Sequence, residues 1–178
     1  MRAIVALLLV VVAPALASDA RTEVAGLRFS VPKGWDQVPT SSPLIVAEFR
    51  IPRAGRGEEN GDLVLFQFGD EKGRPVSDAF ERWYGQFSQP DGRPSREVAV
   101  VATRVVNGLR VKTIDISGTY RPILGPMEHH PEPGYRLLGA VIEGPGGPWH
   151  WRALGPAKTI AKAKDGFDAL VDSCKAAP

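Results

Sequence analysis

The residues best suited to chemistry cluster in one segment rich in Pro and Gly, RPILGPMEHHPEPG at 121–134. Within it, Glu128, His129 and His130 supply a carboxylate and two imidazoles, and His150 could join them. These groups are competent ligands for zinc or copper. Adjacent His side chains on an extended chain point in opposite directions, so both reach one ion only if the loop folds tightly. The spacing therefore favours a solvated loop without metal, and a metal-binding protein stays as an alternative.

Further polar residues flank the same segment. Asp115, Tyr120 and Arg121 come before or at its start, and Tyr135 and Arg136 follow it. In a sheet covered on both faces, a carboxylate at Asp115 needs hydrogen bonds or a cation. The polar residues of this strand could therefore form the floor of a polar pocket. The simpler interpretation is an edge strand whose polar face lies in water. The cation could come from Arg121, Arg136 or Arg152.

We predict that ligand or partner binding occurs at this segment and its flanks. The loop is longer than the roughly four to six residues of common connections, and such loops are often functional. Its prolines reduce the entropy lost on binding, and Tyr and Arg are favoured at binding hot spots. The opposing interpretation is a loop that only covers a sheet edge. The predicted binding residues are Asp115, Tyr120, Arg121, His129, His130, Tyr135 and Arg136.

Catalytic motifs are missing from the sequence. It contains no G-x-S-x-G, H-E-x-x-H, G-x-x-x-x-G-K-[ST] or C-x-x-C pattern. The lone Cys174 lies on an apolar helical stripe, which favours a buried structural thiol over a nucleophile. Trp149 and Trp151 share one strand face, where core packing is the simpler interpretation than a recognition surface. We expect no catalytic residue and no cofactor, with a hydrolytic or metal-assisted enzyme using residues 115–136 as an alternative.

Composition and charge exclude several classes of protein. The chain has 178 residues, 43% of them hydrophobic and 24% charged, which is typical of a globular protein and not of disordered, collagen-like or coiled-coil chains. With 22 basic and 20 acidic residues, the small net charge of +2 gives no electrostatic reason to bind nucleic acid. A single Cys excludes an intramolecular disulfide.

The amino terminus predicts export. A basic start at Met1 and Arg2 precedes an apolar run that Pro14 ends, and Ala-Leu-Ala at 15–17 is a small-x-small cleavage site. The run falls short of the roughly 20 residues of a membrane-spanning helix. We therefore predict a signal peptide at 1–17 and a single domain at 18–178. The mature protein is expected in the periplasm or outside the cell, without stable membrane insertion.

Alternating apolar residues predict several strands. They occupy 27–31, 47–51 and 64–68, and a nearly continuous apolar run at 135–143 pairs with 149–154. The clearest hairpin joins 98–106 to 109–119 through Asn107-Gly108, a pair that accepts the positive φ values of a type I′ turn. The alternation slips near Thr113, which predicts a bulge.

Two segments have helical spacing instead. Apolar residues recur on one face of 76–87, after a candidate cap at Ser77, and on one face of 160–174, after Pro156. Each helix is therefore expected to bury one face. Antiparallel hairpins with segregated helices predict the α+β class.

The opening GLRFSVPKGW, a strand that ends in Pro-x-Gly-Trp, and the order of the elements after it resemble the PsbP-like superfamily of extrinsic photosystem and bacterial exported proteins. The segments FERWYGQFSQPDGRPS, GTYRPILGPM and PGYRLLGAVIEGPGGPW are similar to a group of uncharacterised secreted bacterial proteins. The resemblance implies an antiparallel β-sheet sandwiched by helices and a role in binding or assembly. It carries over no metal or partner residues. The expected function is a non-catalytic binding or assembly module for an exported protein partner or a small ligand.

Overall fold

The computed structural model describes residues 21–24, 26–67, 76–122, 130–144 and 146–178. The predicted signal peptide, Glu128 and His129 lie outside this part of the chain. The strands are β1 (Arg21–Val24), β2 (Leu27–Ser30), β3 (Asp36–Val38), β4 (Ile45–Ile51), β5 (Gly61–Gln67), β6 (Phe87–Ser88), β7 (Val100–Val106), β8 (Leu109–Tyr120), β9 (Glu132–Gly144), β10 (Gly147–Pro156) and β11 (Lys175–Ala176). The helices are α1 (Val76–Gly85), α2 (Ser95–Val98) and α3 (Ala157–Ser173).

One large antiparallel sheet organises the molecule. Its strands follow the order β3, β4, β5, β10, β9, β8, and the far side of β8 pairs with β7 and, at its end, with β6. A small second sheet joins β1, β2 and β11. The apolar runs of β9 and β10 lie in the middle of the large sheet, where both faces are covered.

Each face of the large sheet carries one helix. Against α3 pack Trp149 and Trp151, both with no exposed surface, together with Phe167 and other buried residues of the larger core. Against α1 pack Ile114 and Leu137 of the smaller core. The predicted α+β class, with an antiparallel sheet between helices, is confirmed, and so is the core position of the two indoles.

The expected bulge near Thr113 is wrong. β8 keeps an unbroken register with β9 from Arg110 to Gly118, and the irregularity lies between Gly118 and Tyr120. The apolar residues change parity because different faces of β8 are buried at different points. Val111 faces the α3 core, whereas Ile114 and Ile116 face the α1 core.

The turn between β7 and β8 has the predicted geometry. Asn107 and Gly108 have φ values of 48° and 82°, as a type I′ turn requires. The turn fixes Val106 opposite Leu109, and the register continues to Val100 opposite Asp115. None of the described helices is long and apolar enough to cross a lipid bilayer.

Gly139 on β9 lets α1 approach the sheet, and its substitution tests this packing. A Cβ there would lie 2.6 Å from Trp83 Cζ3 and 2.8 Å from Ile114 Cγ2. We expect Gly139→Ala to lower the free energy of unfolding by about 1–3 kcal/mol, because the indole must move. Gly85→Ala is the matched control, since nothing lies within 4 Å of its added methyl group. Urea unfolding measures both, and equal midpoints would contradict this account of α1 packing.

Candidate binding site

A bidentate ion pair joins Asp115 on β8 to Arg136 on β9. Arg136 Nε donates to Oδ1 of Asp115 at 2.8 Å and Nη2 donates to Oδ2 at 2.6 Å. Arg136 lies opposite Ser117, so it reaches Asp115 diagonally across the two strands. The side chains are only 20% and 24% exposed, and the hydrogen bonds to Asp115 raise the pKa of Arg136. Of the three arginines considered for Asp115, Arg136 is the one that binds it.

The carboxylate of this pair forms part of a groove between β7 and α3, called here the α3 groove. Its volume is about 190 Å³. This is below the roughly 300–1,000 Å³ of most small-molecule pockets, so the α3 groove suits a side chain or a small ligand. It is lined by Val100, Ala102, Arg104, Thr113, Ile114, Asp115, Leu138, Lys164, Phe167 and Asp168.

Both signs of charge line the α3 groove. Lys164 pairs with Asp168 at 2.5 Å on α3, and Arg104 on β7 pairs with Asp172 at 2.7 Å. These pairs are partly exposed and contribute little to stability. Their effect is to present cations and carboxylates side by side over an apolar floor. The carboxylates of the α3 groove can accept hydrogen bonds from the donors of a polypeptide, and its cations can donate to the acceptors.

β7 forms one side of the groove and is an edge strand. Within the described ranges it pairs only with β8, so its outer edge carries no strand. Val100, Val101 and Val105 are 69%, 40% and 72% exposed. Edge strands normally carry Lys or Pro, or are short or covered, to prevent pairing with other chains. The sequence VVATRVV lacks Lys and Pro, and this signal in the sequence was missed.

The interpretation of β8 as an edge strand with its polar face in water is wrong. β8 has β9 on one side and β7 or β6 on the other. Asp115 is half-buried because the neighbouring strands and α3 cover most of its surroundings. Asp115 instead lies among the residues that line the α3 groove.

Tyr120 and Tyr135 lie on the opposite face of the sheet from Asp115. Their rings stack with centroids 6.0 Å apart and an interplanar angle of 9°. Tyr135 donates its hydroxyl hydrogen to Glu59 Oε2 at 3.3 Å, and burial with nearby carboxylates raises the pKa of Tyr135 to about 12. Phe87 packs against Tyr120, which is only 6% exposed. The two tyrosines therefore serve mainly to close the α1 core.

The remaining predicted residues do not join either group. Arg121 is exposed, and its backbone N–H donates to the carbonyl oxygen of Gln86 at 2.7 Å. His130 is exposed, while the rest of the candidate metal set in the loop lies outside the described residues. Across the ranges that the structure describes, no three His, Cys, Asp or Glu side chains are placed to hold a metal ion. Binding by the 121–134 loop stays a prediction.

Cys174 has the predicted structural role. It has no exposed surface, and its thiol donates to the carbonyl oxygen of Leu170 at 3.4 Å. Burial raises the pKa of the Cys174 thiol to about 12. Since the thiolate is the nucleophilic form, this residue offers no nucleophile.

A small cavity beneath α1 contains buried titratable groups. Its volume is about 50 Å³, and His150, Arg152 and Gln86 line it together with aromatic rings. The Arg152 guanidinium lies 5.7 Å from the ring centroid of Phe66, and burial lowers the pKa of Arg152. His150 is 8% exposed, and burial, with a smaller contribution from Arg82, lowers its pKa to about 4. The imidazole is therefore neutral in the folded protein at neutral pH.

No protein-family model matches the chain, and no curated protein matches it in sequence. Among solved structures it is similar to cyanobacterial PsbP (CyanoP) from Synechocystis, with a TM-score of 0.53 and 16% identity over 88% of this chain and 91% of that one. It is also similar to a protein of unknown function from Pseudomonas aeruginosa, with a TM-score of 0.50 and 11% identity over 89% of this chain and 96% of that one. At such identities the likeness shows the fold alone. The chain has a PsbP-like fold.

His150 predicts a loss of stability in mild acid. Its pKa in the folded state is below the ordinary value of 6.5, so the unfolded chain takes up the proton first as the pH falls. The part of the unfolding free energy that depends on His150 is therefore fully present above about pH 6.5. It falls as the pH is lowered toward 4, by on the order of 3 kcal/mol. We expect His150→Gln to flatten the dependence of the unfolding free energy on pH between about pH 7 and pH 4. The same slope in both proteins, measured by urea unfolding, would show that His150 is not the titrating group.

Proposed function

We propose that the protein is a non-catalytic binding module that holds an extended segment of a polypeptide along β7, beside the α3 groove. Among the described residues no strand pairs with the outer edge of β7, and this open edge, with its exposed valines, is the observation that supports the proposal most. An extended peptide that adds to a sheet edge gains affinity from main-chain hydrogen bonds and specificity from its side chains.

The turn between β7 and β8 determines which backbone groups are available. In a two-residue hairpin the two residues that flank the turn exchange backbone hydrogen bonds, so Val106 bonds Leu109. Hydrogen-bonded pairs alternate along an antiparallel ladder, so Arg104, Ala102 and Val100 also bond β8. The N–H and C=O groups of Val101, Thr103 and Val105 therefore point away from β8. They are the groups that an added strand would bind.

The α3 groove supplies specificity in this proposal. Val100 and Ala102 are exposed on the side of β7 that faces α3. A side chain of the added strand that crosses Ala102 reaches the carboxylates of Asp115 and Asp168, each next to its own cation. Because both signs of charge are present, a polar or charged side chain fits here better than a large apolar one.

Binding is favoured over turnover by the state of the reactive groups. Cys174 is buried, and Asp115 is engaged at both carboxylate oxygens by Arg136. A general base must reach the proton that it abstracts, and a nucleophile must reach its target. Neither residue has that freedom in the described geometry, whereas β7 has its backbone edge open.

We propose further that the module acts after export, because the first 17 residues have the pattern of a signal peptide. Cleavage after Ala17 is expected. The intact mass of the exported product decides this. Recovery of an uncleaved chain in the membrane fraction would contradict both the cleavage and the release of the mature protein.

Thr103→Pro tests the edge of β7. Proline removes the outward N–H of Thr103 and leaves the hydrogen bonds between β7 and β8 in place, so an edge strand tolerates it. We expect affinity for partner polypeptides recovered from the exported fraction to fall at least about tenfold, equivalent to about 1.4 kcal/mol, the scale of one or two hydrogen bonds.

Thr103→Ala is the matched control, since it removes the side chain and keeps the N–H group. Urea unfolding of both variants establishes that they are folded. Equal recovery of partners by the proline and alanine variants would end the proposal for β7. Loss of partners only when residues 123–132 are replaced by a short turn would place binding at the loop instead.

A further inference from the structure

We propose that the polypeptide taken up by β7 is β7 of a second copy of this chain, paired antiparallel about Thr103. This inference rests on the proposed function and names the partner. The two copies would join their large sheets edge to edge around a two-fold axis, with the same surface used by both.

The sequence of β7 is nearly the same in both directions. VVATRVV has valines at both ends and Thr103 at its centre. An antiparallel pair centred on Thr103 places Val101 opposite Val105 of the second copy, and Ala102 opposite Arg104. Self-complementarity of this kind is what a two-fold interface requires, and a different partner would not need it.

The free hydrogen-bonding groups fit the same register. Val101, Thr103 and Val105 point their N–H and C=O groups outward, and the centred register pairs these residues with one another. Each hydrogen-bonded pair exchanges two bonds, which gives about six across the interface. These bonds would give partners to most of the outward N–H and C=O groups of β7 in each copy.

The exposed valines also favour this register. Val101 and Val105, 40% and 72% exposed, lie on the same face and would meet across the two strands. Such pairs of β-branched residues contribute roughly 0.2–1 kcal/mol each. A shift by two residues pairs valine with Thr103 and loses this match. The centred register is therefore the one that buries the valines together.

Charge does not oppose the pairing. Arg104 is the only charged residue of β7, and it is neutralised by Asp172 of its own chain at 2.7 Å. In the centred register it lies opposite Ala102, whose small side chain leaves room for the guanidinium. The interface is one strand wide, which places it among small, weak interfaces of less than about 1,200 Å². The dimer should form reversibly as the concentration rises.

Engineered cysteines in the mature protein test both the pairing and its register. Thr103→Cys places two thiols at a hydrogen-bonded pair, with Cα atoms about 5.5 Å apart, within the range for a disulfide. Mild oxidation should give a disulfide-linked dimer. Val105→Cys is the matched control, because its counterpart is Val101 of the second copy. It should cross-link poorly alone and efficiently when mixed with Val101→Cys. The native Cys174 is buried and should not compete.

Sedimentation equilibrium of the purified wild-type protein gives the second measurement. We expect the average mass to rise from monomer toward dimer between about 1 μM and 1 mM, and Thr103→Pro to remain monomeric over that range. A monomeric wild type at the highest concentration would overturn the dimer, as would equal cross-linking of Thr103→Cys and Val105→Cys. If the wild type is monomeric but Thr103→Pro loses another polypeptide, the proposed function stands and this inference fails.

Discussion

The antiparallel pairing of β8 with β9 is the interaction on which the rest of the structure depends. Its register runs without interruption from Arg110 to Gly118 and decides which side chains face each helix. It presents Val111 to the α3 core and Ile114 to the α1 core, so both helices are anchored on the same strand. It also brings Arg136 into diagonal contact with Asp115. A slip by one residue would turn all of these side chains to the wrong face.

The α3 groove follows from the limited width of α3. The helix covers the middle strands, where the indoles and Phe167 are buried, but Val100 and Ala102 on β7 are left exposed. Because the hairpin turn holds β7 beside β8, the strand extends the sheet past the edge of the helix. The gap between them is lined by ion pairs at its rim and apolar side chains at its floor. Within the part of the chain that the structure describes, the same arrangement leaves the outer backbone edge of β7 without a paired strand.

The sequence contained enough information for the longer strands, the two longer helices and the fold class, but not for the short elements or the site. Period-two runs, helical stripes and Asn107-Gly108 are local patterns, and local patterns determine strands, helices and turns. Which face of β8 is covered depends on residues distant in the chain, so the change of parity near Thr113 has the local pattern of a bulge although the register is unbroken there. For the same reason, the sequence predicts a shared site for Asp115 and Tyr120, which lie on opposite faces of the sheet. The pairing of Asp115 with Arg136 needed the β8–β9 register, which no spacing along the chain reveals.

The exposed valines of β7 distinguish it from an apolar strand of the core. A strand rich in valine that is covered on both sides needs no explanation beyond core packing, but Val105 is 72% exposed. An open, apolar edge risks unspecific aggregation, and proteins usually block it with charge or proline. Here the single charge, Arg104, is already held by Asp172, so it does little to repel another strand. The physical cost of leaving such an edge bare is removed when a strand of matching pattern covers it in one register, and the nearly symmetric VVATRVV provides that pattern in a second copy of β7.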